Sequence, residues 1–173
     1  MEYGTFIGIA WSLCFLSYTF GVVNNNSMLL LLCLLFLCIG GIMPFLLALR
    51  LALKVPVKNR LSFFQGLSFS FTMFMWACLF NGIIVYSYFE FFDNGAFIDA
   101  LITMLSDKQL AQTYTQIGMG ESYKEILSMM NEIAQTSSFD KALALFNNNF
   151  LLSLLLSIPV ALVTKTKLQI VRK

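Results

Sequence analysis

The sequence contains no histidine, and only 12% of its 173 residues are charged. An ordinary soluble domain has about 25% charged residues, so a composition this poor in charge excludes a water-soluble globule. The absence of histidine removes the side chain most often used as a general base or metal ligand, and leaves only carboxylates outside the apolar runs. We therefore expect a protein that is not an enzyme and binds no cofactor or metal.

Cysteine is also scarce, and its placement is uninformative about chemistry. Cys14, Cys33, Cys38 and Cys78 each lie inside a long apolar run, where a thiol behaves as a small hydrophobe. The spacing of Cys33 and Cys38 does not fit the usual zinc-binding pairs. These cysteines are expected to pack structurally rather than to carry out redox or metal chemistry.

Apolar residues make up 58% of the chain and fall into four long runs. Twenty residues of helix span about 30 Å, the thickness of the hydrocarbon core. The sequence therefore predicts an all-α integral membrane bundle, a single domain over residues 1–173. Its four predicted transmembrane helices cover residues 4–23, 28–53, 63–92 and 142–164, with a connector at 54–62, an amphipathic segment at 93–141 and a tail at 165–173.

The charged residues divide unevenly between the two sides of this predicted bundle. Eight of the eleven basic residues lie in or beside the connector and in the tail: Arg50, Lys54, Lys58, Arg60, Lys165, Lys167, Arg172 and Lys173. Eight of the nine acidic residues lie between Glu90 and Asp140, on the other side. Because basic loops stay on the cytoplasmic side, both termini and the connector are predicted to be cytoplasmic.

The segment between the third and fourth spans has the pattern of two short amphipathic helices. The first covers residues 97–110, and the second carries an apolar stripe formed by Tyr123, Ile126, Leu127, Met130 and Ile133. Such short helices are too small for a core of their own, so their stripes should lie on the membrane surface or on the end of the third span. The stripe is interpreted either as a contact surface for a partner or lipid, or as a crossover that only shields itself from water. Ser137 and Asp140 have the spacing of a capping box ahead of the last span.

Asparagines lie inside two of the predicted spans. Asn147, Asn148 and Asn149 follow the start of the fourth span, and Asn81 lies at a similar depth in the third. An interhelical amide pair between them is one interpretation, worth about 0.6–2 kcal/mol. A polar substrate or ion site in the outer leaflet is the other.

Small residues recur at every fourth position on two spans. Gly4, Gly8 and Ser12 form such a row on the first, and Ser62, Gly66 and Ser70 form another on the third. Rows of this kind allow helix backbones to approach closely. They predict packing within the bundle or self-association.

The whole chain resembles a family of bacterial membrane proteins, domain of unknown function 4199, which is common in Bacteroidota. The resemblance rests on the opening Met1–Ile9, on Ser62–Phe69, on the aromatic run Tyr88–Asp93, and on a Met-containing amphipathic helix before the last span and basic tail. The connector around Lys58-Asn59-Arg60 is an abbreviated version of that family's. The resemblance implies a four-helix protein of the bacterial inner (cytoplasmic) membrane, and it supplies no catalytic residues.

These observations favour a non-enzymatic accessory or assembly partner of another membrane protein. The alternative is a small transporter or channel subunit with a polar site in the outer leaflet, for which the asparagines would supply the lining. A membrane enzyme ranks third because its acids and bases would all come from the amphipathic segment. The expected partners are the lipid bilayer and a membrane protein or a second copy of this chain, and no nucleic acid.

Overall fold

The computed structural model describes residues 2–54 and 62–170. Over these residues the chain is all-helical, and its helices are α1 (Glu2–Val23), α2 (Ser27–Lys54), α3 (Phe63–Phe91), α4 (Ala96–Leu105), α5 (Lys108–Gln116), α6 (Gly120–Gln135) and α7 (Ser138–Ile170). Four of them, α1, α2, α3 and α7, are long and apolar enough to cross a membrane. The predicted all-α bundle of four spanning helices is confirmed. Of the basic residues that predict its orientation, Lys58, Arg60, Arg172 and Lys173 lie outside the described residues.

The four long helices pack in the order α2, α1, α3, α7, and α7 also touches α2. Consecutive spans are antiparallel: α3 and α7 pair Phe71 with Phe150 and Tyr86 with Phe139. One end of the bundle therefore holds the start of α1, the end of α2, the start of α3 and the end of α7, and we call it the terminal end. The opposite end carries α4, α5 and α6, which we call the cap.

The close approach of α1 to α3 depends on glycine. A Cβ atom at Gly4 would lie 2.5 Å from the carbonyl oxygen of Met73, and one at Gly8 would lie 3.0 Å from Cβ of Phe80. Ser12, one turn further on, is buried. The row of small residues on α1 is thus used for packing within the bundle, as one of its two interpretations predicted.

Two apolar clusters hold the bundle together. The cluster at the terminal end draws buried residues from all four spans, among them Ile7, Ala48, Phe74 and Val160. The cluster at the cap end draws on α1, α3, α4 and α7, and no described residue of α2 joins it. The helices α2 and α7 therefore share the cluster at the terminal end but not the one at the cap end.

The cap differs from its predicted form. The amphipathic stretch over residues 97–110 is not one helix, because it breaks at Ser106 and Asp107 into α4 and α5. The Asp107 carboxylate accepts a hydrogen bond of 2.9 Å from the Gln109 amide and begins α5. Phe97 and Ile98 of α4 are buried against the end of α3, which is one of the two places predicted for such stripes. The helix α6 packs on α4 and α5.

The last span begins at Ser138, before the predicted residue 142, and the helix continues to Ile170. Its start is fixed by Ser137, whose hydroxyl accepts a 3.2 Å hydrogen bond from the Asp140 amide and donates one of 2.6 Å to the Asp140 carboxylate. Hydropathy marks only the membrane-crossing part of a helix, whereas capping side chains set its ends.

Candidate functional site

Asn81 lies on α3 at the centre of the bundle and is 4% exposed. Its side-chain oxygen accepts a hydrogen bond of 3.2 Å from the Ser12 hydroxyl on α1. The same hydroxyl lies 2.8 Å from the carbonyl oxygen of Gly8. Because a hydroxyl has one hydrogen, it serves these two acceptors alternately. Ser12 therefore ties α1 to α3 and keeps a partner within its own helix.

The three asparagines of α7 occupy different surroundings. Asn147 and Asn148 are exposed on the outside of the bundle, whereas Asn149 is half-buried. Among the described residues, no hydrogen bond joins Asn81 to any of the three. An amide pair between Asn81 and α7 stays a prediction, and Asn149 is the member of the cluster that shares a cavity with Asn81.

That cavity has a volume of about 300 Å³. All four spans line it, and we call it the amide cavity after its two asparagines. Its lining residues are Trp11, Cys14, Phe15 and Tyr18 of α1, Cys33, Leu37, Gly40 and Gly41 of α2, Asn81 and Val85 of α3, and Leu145, Asn149, Leu152 and Leu156 of α7. Two larger hollows among the described residues lie between α3 and α7 and are lined almost entirely by apolar atoms.

Two glycines of α2 lie at the amide cavity. Beyond the terminal cluster, α2 presents the buried Gly40 to the interior, whereas Gly41 is exposed at the margin of the cavity, and neither residue fills space between the helices. A Cβ atom at Gly40 would lie 2.7 Å from Cδ1 of Trp11, so this glycine lets the indole rest against the α2 backbone. At Gly41 a Cβ atom would meet nothing within 4 Å.

Two of the cysteines also meet at the amide cavity. The Cys14 and Cys33 sulfur atoms are 3.4 Å apart and join α1 to α2. Cys78 packs elsewhere, with its sulfur 3.2 Å from the Ser153 hydroxyl of α7. Within residues 2–54 and 62–170, no three Cys, Asp or Glu side chains converge closely enough to hold a metal ion.

The predicted stripe on α6 divides into two edges. Tyr123 is buried, and its hydroxyl donates a hydrogen bond to the carbonyl oxygen of Leu105 on α4. Leu127 and Met130 are half-buried, whereas Ile126 and Ile133 are exposed. The cap therefore covers one edge of the stripe and leaves the other uncovered. Periodicity identified the stripe but not which edge the neighbouring helices cover.

A buried carboxylate at the base of the cap was not singled out by the sequence pattern. Asp93 is 3% exposed and accepts a hydrogen bond of 2.9 Å from the Phe97 amide. It thereby anchors the first turn of α4 directly above α3. An Asp four residues before an apolar position, just after a long span, was the available signal.

Four apolar spans closed at one end by a helical cap define an integral membrane protein. A family model described as "Protein of unknown function (DUF4199)" matches residues 2–166, and the chain belongs to that family. No curated protein and no solved structure matches the chain. The description of the family assigns no activity, so a function has to be argued from the geometry of the amide cavity and of the cap.

Proposed function

We propose that the protein is a non-enzymatic accessory or assembly partner of another membrane protein in the bacterial inner membrane. One observation carries the proposal: α6 has an uncovered apolar edge formed by Ile126, Met129 and Ile133. These side chains are 37%, 58% and 38% exposed, on a helix outside the four spans. Exposed apolar patches of this kind are typical of protein contact sites.

The position of this edge follows from helical geometry. Successive residues of a helix are about 100° apart, so Ile126, Met129 and Ile133 share one side of α6. Tyr123, which is buried, lies on the neighbouring side that packs against the cap. The apolar stripe is thus wider than the surface that the protein itself covers, which supports a partner for the remainder.

The charges beside this edge favour a protein over a lipid surface. Glu125 and Glu132 are exposed and flank Met129 on the helix. Helices that bind anionic membranes usually carry Lys and Arg in these positions. Acidic side chains along one side of an apolar edge instead fit a partner protein that has basic residues beside an apolar face.

The proposed orientation places both termini in the cytoplasm and the cap outside it. Support comes from the basic residues around the connector and in the tail, which in the sequence lie in or after the last turns of α2 or of α7. The cap side has an excess of acidic residues. The edge of α6 would then meet its partner at the outer surface of the membrane.

The packing of the terminal end favours this role over transport. Ile7, Phe74 and Val160 are each fully buried and fill the bundle between the amide cavity and the terminal end. A path for a polar solute would have to cross this apolar layer. The accessory role requires only that the bundle hold the cap in place.

Site-specific crosslinking in cells tests the proposal. A photoreactive amino acid at position 126 or 133 should form an adduct with one and the same membrane protein. Ser128 and Gln135 are exposed on the opposite side of α6 and provide the matched control positions. Equal crosslinking from all four positions, or adducts with lipid alone, would contradict the proposal.

A pair of charge variants separates binding from folding. Ile126→Glu with Ile133→Glu should abolish the adduct and co-purification of that protein, because it places two charges on the contact edge. Ser128→Glu with Gln135→Glu adds the same charge to the other side and should leave both intact. If the first pair instead prevents insertion, the stripe packs internally and the crossover interpretation holds.

A further inference from the structure

The amide cavity contains a buried polar group that the protein does not fully use. Asn81 accepts its hydrogen bond from Ser12 through the side-chain oxygen. Among the described residues, no acceptor meets its amino group, although the residue is 96% buried and lines the cavity. No fully enclosed side-chain nitrogen or oxygen atom among the described residues lacks a hydrogen-bond partner, so the amino group of Asn81 is reached from the amide cavity.

Asn149 adds a second unused amide on the neighbouring helix, α7. Its backbone carbonyl accepts a 2.6 Å hydrogen bond from Ser153, but its carboxamide has no hydrogen-bond partner among the described residues. Two amino groups thus border one cavity from α3 and from α7. Together they offer hydrogen bonds to a molecule that carries two oxygen acceptors.

The remaining walls limit the charge and shape of that molecule. No Lys, Arg, Asp or Glu lines the amide cavity, so a charged ligand would have no counter-ion there. Trp11 provides a flat wall, and stacking on Phe74 at 6.0 Å and 16° holds its ring in place. A volume of about 300 Å³ is at the lower end of the range for small-molecule sites.

We propose that the amide cavity binds a neutral, lipid-soluble molecule of the quinone class, a flat ring with two carbonyl oxygens. The carbonyl oxygens accept hydrogen bonds from Asn81 and Asn149, and the ring faces Trp11. The ligand reaches the site from the bilayer, between α2 and α7. This site is distinct from the edge of α6. Ligand binding in the amide cavity is therefore tested independently of the proposed protein partner.

Trp11 provides a direct readout of binding. The chain has two tryptophans, and Trp76→Phe leaves Trp11 as the only one. The probe is duroquinone, a fully methylated benzoquinone that has no free ring position for a thiol to attack. It should quench Trp11 fluorescence saturably in the purified, detergent-solubilised full chain. Durene, the same methylated ring without the two oxygens, should fail to displace it.

Three variants assign the effect to the two amides. Asn81→Leu and Asn149→Leu should each weaken duroquinone binding about three- to twenty-fold, the range expected for one hydrogen bond in a membrane protein. Asn147→Leu removes an amide two residues from Asn149 that faces outward, and should leave the affinity unchanged. Asn149→Leu carries the test by itself if Asn81→Leu does not fold, because no described residue bonds to the Asn149 carboxamide.

Several results would overturn the proposal. Quenching that rises linearly, with one slope in all variants, would show that the probe only dissolves in the micelle. Equal displacement by durene would show that the cavity accepts any apolar filler, including a lipid chain. An equal loss of affinity in Asn147→Leu would show that the amides of the cavity have no specific role.

Discussion

Ser12 and Asn81 are 69 residues apart in the sequence, and their side chains are joined by a hydrogen bond of 3.2 Å. The contact exists because Gly8, one turn before Ser12, lets α1 lie against α3. Backbone proximity, the hydrogen bond and the amide cavity are therefore linked. A substitution at Gly4 or Gly8 should therefore lower the stability of the bundle, and should change the amide cavity only as a consequence.

The first prediction compares two glycines that differ only in their surroundings. Gly4→Ala should lower the free energy of unfolding by about 1–3 kcal/mol, since its new methyl group would press on the carbonyl oxygen of Met73. Gly41→Ala should be neutral or stabilising by up to about 1 kcal/mol, because that methyl group meets nothing and alanine favours helix. Unfolding in mixed micelles, followed by circular dichroism, measures both. Equal losses would contradict the close approach of α1 and α3.

The second prediction concerns the bond between Ser12 and Asn81. A double-mutant cycle of Ser12→Ala and Asn81→Leu should give a coupling of about 0.6–1.7 kcal/mol, as found for side-chain hydrogen bonds within membranes. Asn81→Leu combined with Asn147→Leu should be additive, because Asn147 faces outward. Additivity in the first cycle would mean that the bond contributes nothing to stability.

A separate cycle tests the amide pair predicted from the sequence. Asn149 is the asparagine of α7 that lines the same cavity as Asn81. If the two amides interact across the cavity, Asn81→Leu and Asn149→Leu should couple by about 0.6–1.7 kcal/mol in the empty protein. Strict additivity would leave the pair without a direct interaction and assign the two groups to a ligand alone.

The spans could be predicted from the sequence because the bilayer imposes a length and a composition on any helix that crosses it. The sequence also predicts that Asn81 and the asparagines of α7 lie at similar depths, and Asn149 lines the same cavity as Asn81. The direction in which each side chain points around the helix axis could not be predicted from the sequence. Three consecutive asparagines are spread over about 200°, and only the packing of α2 and α3 against α7 determines that Asn149 turns inward.

The partner of Asn81 was missed for the same reason. Ser12 was recognised as a small residue in a packing row, but a row of small residues does not indicate which helix it faces. In the cap, the break at Asp107 was missed because apolar periodicity continues across it to Leu110. A carboxylate that can cap a helix, such as that of Asp107, indicates the start of a new helix. This signal outweighs the apolar periodicity, which indicates that the first helix continues.

The fourth prediction uses the contact between Cys14 and Cys33. Their sulfur atoms lie 3.4 Å apart, so mild oxidation with copper phenanthroline should join α1 to α2 within one chain. The Cys38→Ser variant leaves three thiols. After oxidation and denaturation, the number of maleimide labels per chain should fall from three to one. Cys33→Ser in that background should retain both of its thiols. Crosslinking only between chains would contradict the contact.

The last prediction tests the orientation on which the proposed partner site depends. A reporter enzyme that is active only outside the cytoplasm should be active when fused after Gly120 in the cap, and inactive when fused after Val57 or Lys173. The reason is that eight basic residues lie around the connector and in the tail, and moving them across the membrane is disfavoured. Adding two lysines beside Asn25, at the cap end of α1, should weaken insertion because it opposes the existing bias. Activity after Val57 would show that the protein has the opposite orientation. The edge of α6 would then lie in the cytoplasm, and its partner would have to be sought there.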